Sequence, residues 1–256
     1  MIWFVGAGSG AVDLITVRGQ RLLREADLIL YAGSLVNPQL LEEARPDATI
    51  YNTAHMTLEE VMDAMVRGQE AGLGTIVRLH TGDPSLYGAI REQMDRLRAR
   101  EIPFRVVPGV SSFSAAAAAL EAEYTLPGVS QTLILTRMAG RTPVPEEEDI
   151  RLLARHGSSM AVFLSTGMLD RLQQALLQGA YTPDTPAALV YKASWPEEQV
   201  VRCTLGTLAA AGAAYNITQT ALVLVGDFLE EKYQRSLLYH PDFTTQYRKG
   251  RDSGAD

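Results

Sequence analysis

Up to Val107 the chain repeats one pattern: a short apolar run, a turn signal, then a stretch with helical spacing. The apolar runs are residues 2–5, 28–31, 49–51, 75–79 and 104–107. They lack the alternation of a strand wetted on one face and read instead as parallel strands covered on both faces. The spacers carry helix signatures. Thr57-Leu58-Glu59-Glu60 has the spacing of a capping box and predicts a helix to about Gln69. Beyond Pro84, residues Leu86, Ile90, Met94 and Leu97 share one stripe, so a helix is expected to start at that proline. Alternation of this kind predicts a doubly wound α/β domain with right-handed crossovers.

A second set of elements follows. Residues 115–119, all alanine, predict a close-packing helix ending near Glu121, and residues 124–128 read as a junction. Strands are then expected at 133–136, 160–164, 187–191, 199–202 and 221–225, with helices near 147–154, 168–177 and 205–213. Only a Ser-Trp-Pro loop separates strands 187–191 and 199–202, which suits an antiparallel pair and hence a mixed second sheet. The expected organisation is an N-terminal α/β domain over 1–121 and a C-terminal α/β domain over 122–232. Residues 233–256, with Tyr233, Tyr239, Phe243 and Tyr247, look like a tail that packs on something.

Composition narrows the function classes. Of 256 residues 46% are hydrophobic and 21% charged, as in a globular protein. The net charge of −7 argues against non-specific nucleic-acid binding, which needs a basic face. No apolar run approaches the ~20 residues of a membrane span, and residues 1–5 make no signal peptide. Cys203 is the single cysteine, and the four histidines have no metal spacing, so a cytoplasmic protein without structural metal is expected. No Ser-His-Asp set or G-x-S-x-G elbow is present. All basic residues but Lys192, Lys232 and Lys249 are arginines. That choice suits carboxylate ligands, or reflects genomic composition.

Four loops carry candidate chemistry. Gly6-Ala7-Gly8-Ser9-Gly10 follows the first strand, but Ala11 replaces the third glycine of a dinucleotide fingerprint. The acid that should follow the second strand is missing, since Asp27 precedes it. A ligand loop and a plain tight turn both remain open. His80-Thr81-Gly82-Asp83-Pro84 lies at the carboxyl end of the fourth strand, where such sheets bind ligands. Asp83 is either the cap of the next helix or part of a loop that exposes polar backbone to a ligand. Pro108-Gly109-Val110-Ser111-Ser112 repeats the logic after the fifth strand: its serines can cap a helix or bind a carboxylate. In residues 137–145, Arg137 and Arg141 stand four apart between a glycine and two prolines. They form a carboxylate clamp or a solvated loop.

In order and spacing, residues 5–10 with Asp13-Leu14-Ile15-Thr16, then 78–84, 106–112 and 220–227, resemble the tetrapyrrole methyltransferases along most of the chain. Within that family, residues 31–36, 136–145 and 191–196 resemble the precorrin-4 C11-methyltransferase branch, and the proline-rich loop and aromatic tail most resemble the cobalt-precorrin-4 enzymes of the anaerobic route. The resemblance implies two α/β domains, a parallel and a mixed sheet with a cofactor cleft between them, in a homodimer that uses S-adenosylmethionine. It puts methyl-donor contacts on Ser9, Thr81, Gly82, Asp83, Leu86, Ser111, Ser112, Ser165 and Ala193. Tyr31 and Ser34 would line the tetrapyrrole trough, with Arg137 and Arg141 on its carboxylates. No catalytic side chain is implied. Many members have proline in place of Ser9 and aspartate in place of Ala11. Methylation of another ring carbon, a nicotinamide-dependent oxidoreductase and a non-catalytic tetrapyrrole carrier are the competing expectations.

Overall fold

A computed structural model describes residues 1–33 and 35–251, which form two units. The first comprises Met1–Ala116 together with Lys192–Glu198; the second comprises Ala117–Tyr191 and the residues from Gln199 on.

Five parallel strands build the first unit: β1 (Ile2–Gly6), β2 (Leu28–Tyr31), β3 (Thr49–Asn52), β4 (Ile76–His80) and β5 (Phe104–Val107), ordered β3-β2-β4-β1-β5. The apolar runs of the three inner strands β2, β4 and β1 are buried because helices cover both faces, whereas the edge strands β3 and β5 leave Ile50, Tyr51 and Val106 exposed, against the expectation of cover on both faces for every strand. On one face α1 (Val17–Glu25) packs Leu22 and Leu23 against Val5, Ile29, Val77 and Leu79. On the other, α2 (Leu58–Glu70) and α3 (Ile90–Arg98) bring Val61, Met65, Ile90 and Leu97 against Ile2, Phe4, Leu30 and Ile76. Each fully buried side chain of this size contributes about 1.5–3 kcal/mol. The expected capping box of α2 is present, with Thr57 and Glu60 each accepting the other's amide. β5 leads into α4 (Ser112–Ala119), which buries Ala115 and Ala116.

Adjacent strands β1 and β4 send their connections in opposite directions, one towards β2 and one towards β5. Their carboxyl ends are therefore the switch point at which open α/β sheets bind ligands. Asp27 lies at the opposite edge. Its carboxylate accepts from the Thr75 amide at 2.9 Å and pairs with Arg45, and the Thr75 bond foremost holds it below the usual carboxylate range.

One expected helix start is corrected. Residues 84–87 are turns, and α3 begins only at Ile90, so Leu86 precedes it and Asp83 does not cap it. Tyr87 and Ala89 take left-handed backbone (φ 56° and 49°), which breaks the helical path on both sides of Gly88.

The second unit has a mixed sheet, as its sequence pattern predicts. Strands β6 (Leu133–Arg137), β7 (Ser159–Phe163), β8 (Pro186–Tyr191), β9 (Gln199–Thr204) and β10 (Ala221–Val225) are ordered β6-β7-β10-β8-β9. β6 and β7 are parallel, and every other pairing is antiparallel. Helices α6 (Leu169–Leu176) and α7 (Leu208–Ala214) pack Leu172, Leu176 and Leu208 on Met160, Val162, Leu189 and Val223. The helix expected near 147–154 is reduced to one turn, α5 (Ile150–Leu153). Asp149 interrupts it by taking extended backbone and accepting the amide of Arg151. Over residues 233–251, Gln234 packs on Gly128 and its backbone amide donates to the Pro127 carbonyl at 3.1 Å, while Tyr239 and Tyr247 are exposed and Arg248 donates to the carbonyls of Leu238, His240 and Phe243.

Candidate functional site

Three turns meet at the carboxyl edge of the first sheet. The Gly8 amide donates to the Gly82 carbonyl at 3.3 Å, and the Gly82 amide returns a bond to Gly8 at 2.8 Å. The Ala7 amide donates to the His80 carbonyl at 2.7 Å. Behind this bridge the backbones nearly touch. A Cβ on Gly109 would lie 2.1 Å from the Gly82 oxygen, and one on Gly6 would lie 2.6 Å from the Gly109 Cα. Three glycines thus give the turns after β1, β4 and β5 a shared floor made of backbone alone.

Asp83 ties two of these turns together. One carboxylate oxygen accepts from the amide and hydroxyl of Ser85; the other accepts from the Gly109 amide at 2.9 Å. Burial pushes its pKa up, but these hydrogen bonds outweigh burial and leave the carboxyl below its ordinary range. Thr81 donates its hydroxyl to the Leu35 carbonyl at 3.0 Å. Ser111 is buried, and its carbonyl closes the first turn of α4 by accepting from Ser114 and Ala115. Its Cα lies 3.6 Å from where a Cβ on Gly82 would sit, which brings Thr81, Gly82, Asp83, Ser111 and Ser112 into one place. Leu86 follows in the same turn, its amide bonded to the Asp83 carbonyl.

The first glycine loop is held from its other side by Lys192–Glu198, which belongs to the same unit. Ser9 and Ser194 hydroxyls are 2.8 Å apart, the Ala11 amide donates to the Ser194 hydroxyl, and the Trp195 indole N–H donates to the Ser9 carbonyl at 3.0 Å. Buried Asn37 donates to the Gly10 carbonyl at 2.9 Å. A phosphate cradle needs free amides. Those of Ala7, Gly8 and Ala11 are already bonded within the protein, which disfavours the dinucleotide reading. Ala193 is buried beside Ser194. Asn37 was not among the expected site residues, and Ser194 and Trp195 entered only as part of the 191–196 motif, with no contact assigned to them. A large aromatic ring followed by proline in a strand–strand loop was the available signal, because such a ring has to be covered by something.

Beneath the floor sit two unusual buried side chains. His80 packs near the Phe4 ring at 6.0 Å and its Nε2 has no hydrogen-bond partner. Burial foremost, then Arg78, pushes its pKa down to about 3, so the imidazole is neutral. The Arg78 guanidinium is buried as well, donating to the Leu30 and Leu79 carbonyls at 3.3 Å, and burial lowers its pKa to about 10. Among the described residues no group of three or more His, Cys, Asp or Glu is arranged to hold a metal ion.

The remaining expected residues are placed as follows. Tyr31 is half-buried at the end of β2, its carbonyl accepting from the Thr53 hydroxyl; Ser34 lies outside the described residues. In the second unit Ser165 is fully buried, donating to the Phe163 carbonyl and accepting from the Met138 amide. Arg137 turns back on its own loop and donates to the Thr142 and Pro143 carbonyls at 3.2 and 2.6 Å. Arg141 is exposed. A polar hollow of about 320 Å³, lined in part by Met138, Ala139, Val144 and Arg171, lies beside this loop.

Residues 1–209 match the family of tetrapyrrole (corrin/porphyrin) methylases. The chain is 51% identical over 246 residues to the cobalt-precorrin-4 C(11)-methyltransferase of Methanocaldococcus jannaschii, covering 96% of this chain and 95% of that protein. The X-ray structure of a cobalamin biosynthetic enzyme, cobalt precorrin-4 methyltransferase, superposes with a TM-score of 0.87 at 44% identity, covering 90% of this chain and 95% of that one. Uroporphyrin-III C-methyl transferase from Thermus thermophilus, complexed with S-adenosylhomocysteine, matches with a TM-score of 0.75 at 27% identity, over 91% and 95% of the two chains. With its parallel and mixed sheets, its interlocked glycine turns and this likeness along nearly its whole length, the chain belongs to the tetrapyrrole methylase family.

Proposed function

We propose that this chain transfers a methyl group from S-adenosylmethionine to C11 of cobalt-precorrin-4, in cobalamin biosynthesis, as a cytoplasmic homodimer. The observation that carries the reading is the backbone floor of Gly6, Gly82 and Gly109 at the switch point, in a chain whose close relative bears that activity in its name. A floor without side chains suits a flat, polar nucleoside-like group, which can approach the backbone closely.

Thr81, Gly82, Asp83, Leu86, Ser111 and Ser112 would hold the methyl donor, with Ser9 from the first glycine loop and Ala193 from the segment Lys192–Glu198. Ser165 has its hydroxyl committed on both sides, so any contact it makes falls to its backbone. S-adenosylmethionine supplies an already activated methyl group, so the protein needs no nucleophile of its own. Holding two reactants in register can contribute ~7–11 kcal/mol, more than a single acid or base supplies. His80, neutral with a pKa near 3, is a poor base and belongs to the support of the floor. On the substrate side, Tyr31 would line the ring, with Ser34, outside the described residues, expected beside it from the sequence alone. Arg141 takes a peripheral carboxylate, while Arg137 shapes the loop that presents it.

Calorimetry with S-adenosylhomocysteine is the first test: binding at micromolar concentration is expected, and none would sink the reading. Incubation with labelled methyl donor and cobalt-precorrin-4 should then give a product whose NMR spectrum carries the new methyl at C11. A methyl at another carbon would reassign the reaction within the family. Parallel assays on the metal-free ring decide whether cobalt is required.

A further inference from the structure

We infer that Trp195 and Ser194 are positioning residues, and that the segment Lys192–Glu198 is a strap that holds the first glycine loop in the shape required for binding the methyl donor. This rests on the methyl-donor reading above. A loop with glycines at 6, 8 and 10 has little conformational preference of its own, so its shape has to be imposed. Trp195 imposes it by direct contact. A Cβ on Gly10 would lie 2.0 Å from the indole Cδ1, which leaves room for glycine only, and the indole N–H fixes the Ser9 carbonyl. Ser194 adds a hydroxyl that meets both the Ser9 hydroxyl and the Ala11 amide.

The strap is itself a built object. Lys192 and Ser194 both take left-handed backbone, at φ 45° and 68°, which non-glycine residues hold only when their surroundings demand it. Those surroundings are present. The Trp195 amide donates to the Lys192 carbonyl, the Glu198 amide to the Trp195 carbonyl, and the Ser194 amide to the Glu198 carboxylate at 2.6 Å. The Lys192 ammonium lies 5.2 Å from the indole centroid and 3.6 Å from Glu197. Between the two strained residues sits Ala193, buried and next to the serine pair. One segment therefore sets the loop and places Ala193 at the same time.

The test measures S-adenosylhomocysteine affinity by calorimetry, with KM and kcat, on the full chain below its melting midpoint. Trp195→Phe keeps a ring over Gly10 but loses the N–H, and Ser194→Ala loses the hydroxyl. Each should weaken affinity about three- to tenfold, as expected for one hydrogen bond, and raise KM for the methyl donor while kcat at saturation holds. Gly10→Ala should weaken binding further, and Gly10→Ala with Trp195→Ala should bind no worse than Trp195→Ala alone, because the clash is gone. Wild-type binding with unchanged affinity in Trp195→Phe and Ser194→Ala, whatever their melting midpoints, overturns the strap's role. No binding by wild type overturns the methyl-donor reading, and the strap's role falls with it.

Discussion

At His80 the fold keeps an imidazole neutral in a place where water cannot reach its Nε2. In the unfolded chain that ring takes up a proton near pH 6.5, whereas in the fold it does so only near about 3. Between those values the unfolded chain binds more protons, so stability falls as the pH is lowered through that window. His80→Phe keeps the ring beside Phe4 and removes the titration. Between pH 6.5 and about 5.5, wild type should lose about 1 kcal/mol more stability than this variant, read from denaturant midpoints. Parallel stability curves for the two proteins would mean that the imidazole is solvated. Asp83 is linked to pH with the same sign but from the opposite cause, because hydrogen bonds favour its charged form: its lowered pKa contributes stability that is present above the ordinary carboxylate range and lost only in stronger acid.

On the scale of elements, residues 137–145 separate two arginines that sequence alone would treat as a pair. Arg137 closes the loop on its own carbonyls, whereas Arg141 stands exposed. Arg141→Ala should weaken tetrapyrrole binding about tenfold and leave the melting midpoint within about 1 °C of wild type, the loss expected for one charge-assisted bond. Arg137→Ala should lower both. Equal effects of the two variants on the midpoint would restore the symmetric clamp. Strands such as 28–31 and 104–107 were legible because an apolar run between turn signals has few other fates. The start of α3 was not. Proline, an acidic cap and an apolar stripe all favoured Pro84, but the left-handed turns at Tyr87 and Ala89 come from the tertiary setting of the β4 turn. The partnership of Ser9 with Ser194 was illegible for another reason: it spans 185 positions of chain, and nothing local marks it.

For the whole molecule, the two sheet types were readable, since buried parallel strands and a short strand–strand loop leave different patterns. Strand order was not, because crossovers carry no mark in local sequence. The proposed homodimer is the property that belongs to this scale. Light scattering should give about twice 27.9 kDa at micromolar concentration. A mass that stays at that of one chain over this range would remove the dimer and leave the methyl-transfer reading intact.

The strap also sets the order in which the protein can be made. On the ribosome, the five strands of the first sheet are complete once Val107 has been added, and Asn37 is there to hold the Gly10 carbonyl, yet the ring that packs on Gly10 is missing until Trp195 is synthesised. At 5–20 residues per second that delay is on the order of ten seconds. A nascent chain therefore carries an unfinished ligand loop while most of the second sheet is being translated, and the first unit reaches its final form after much of the unit that follows it in sequence.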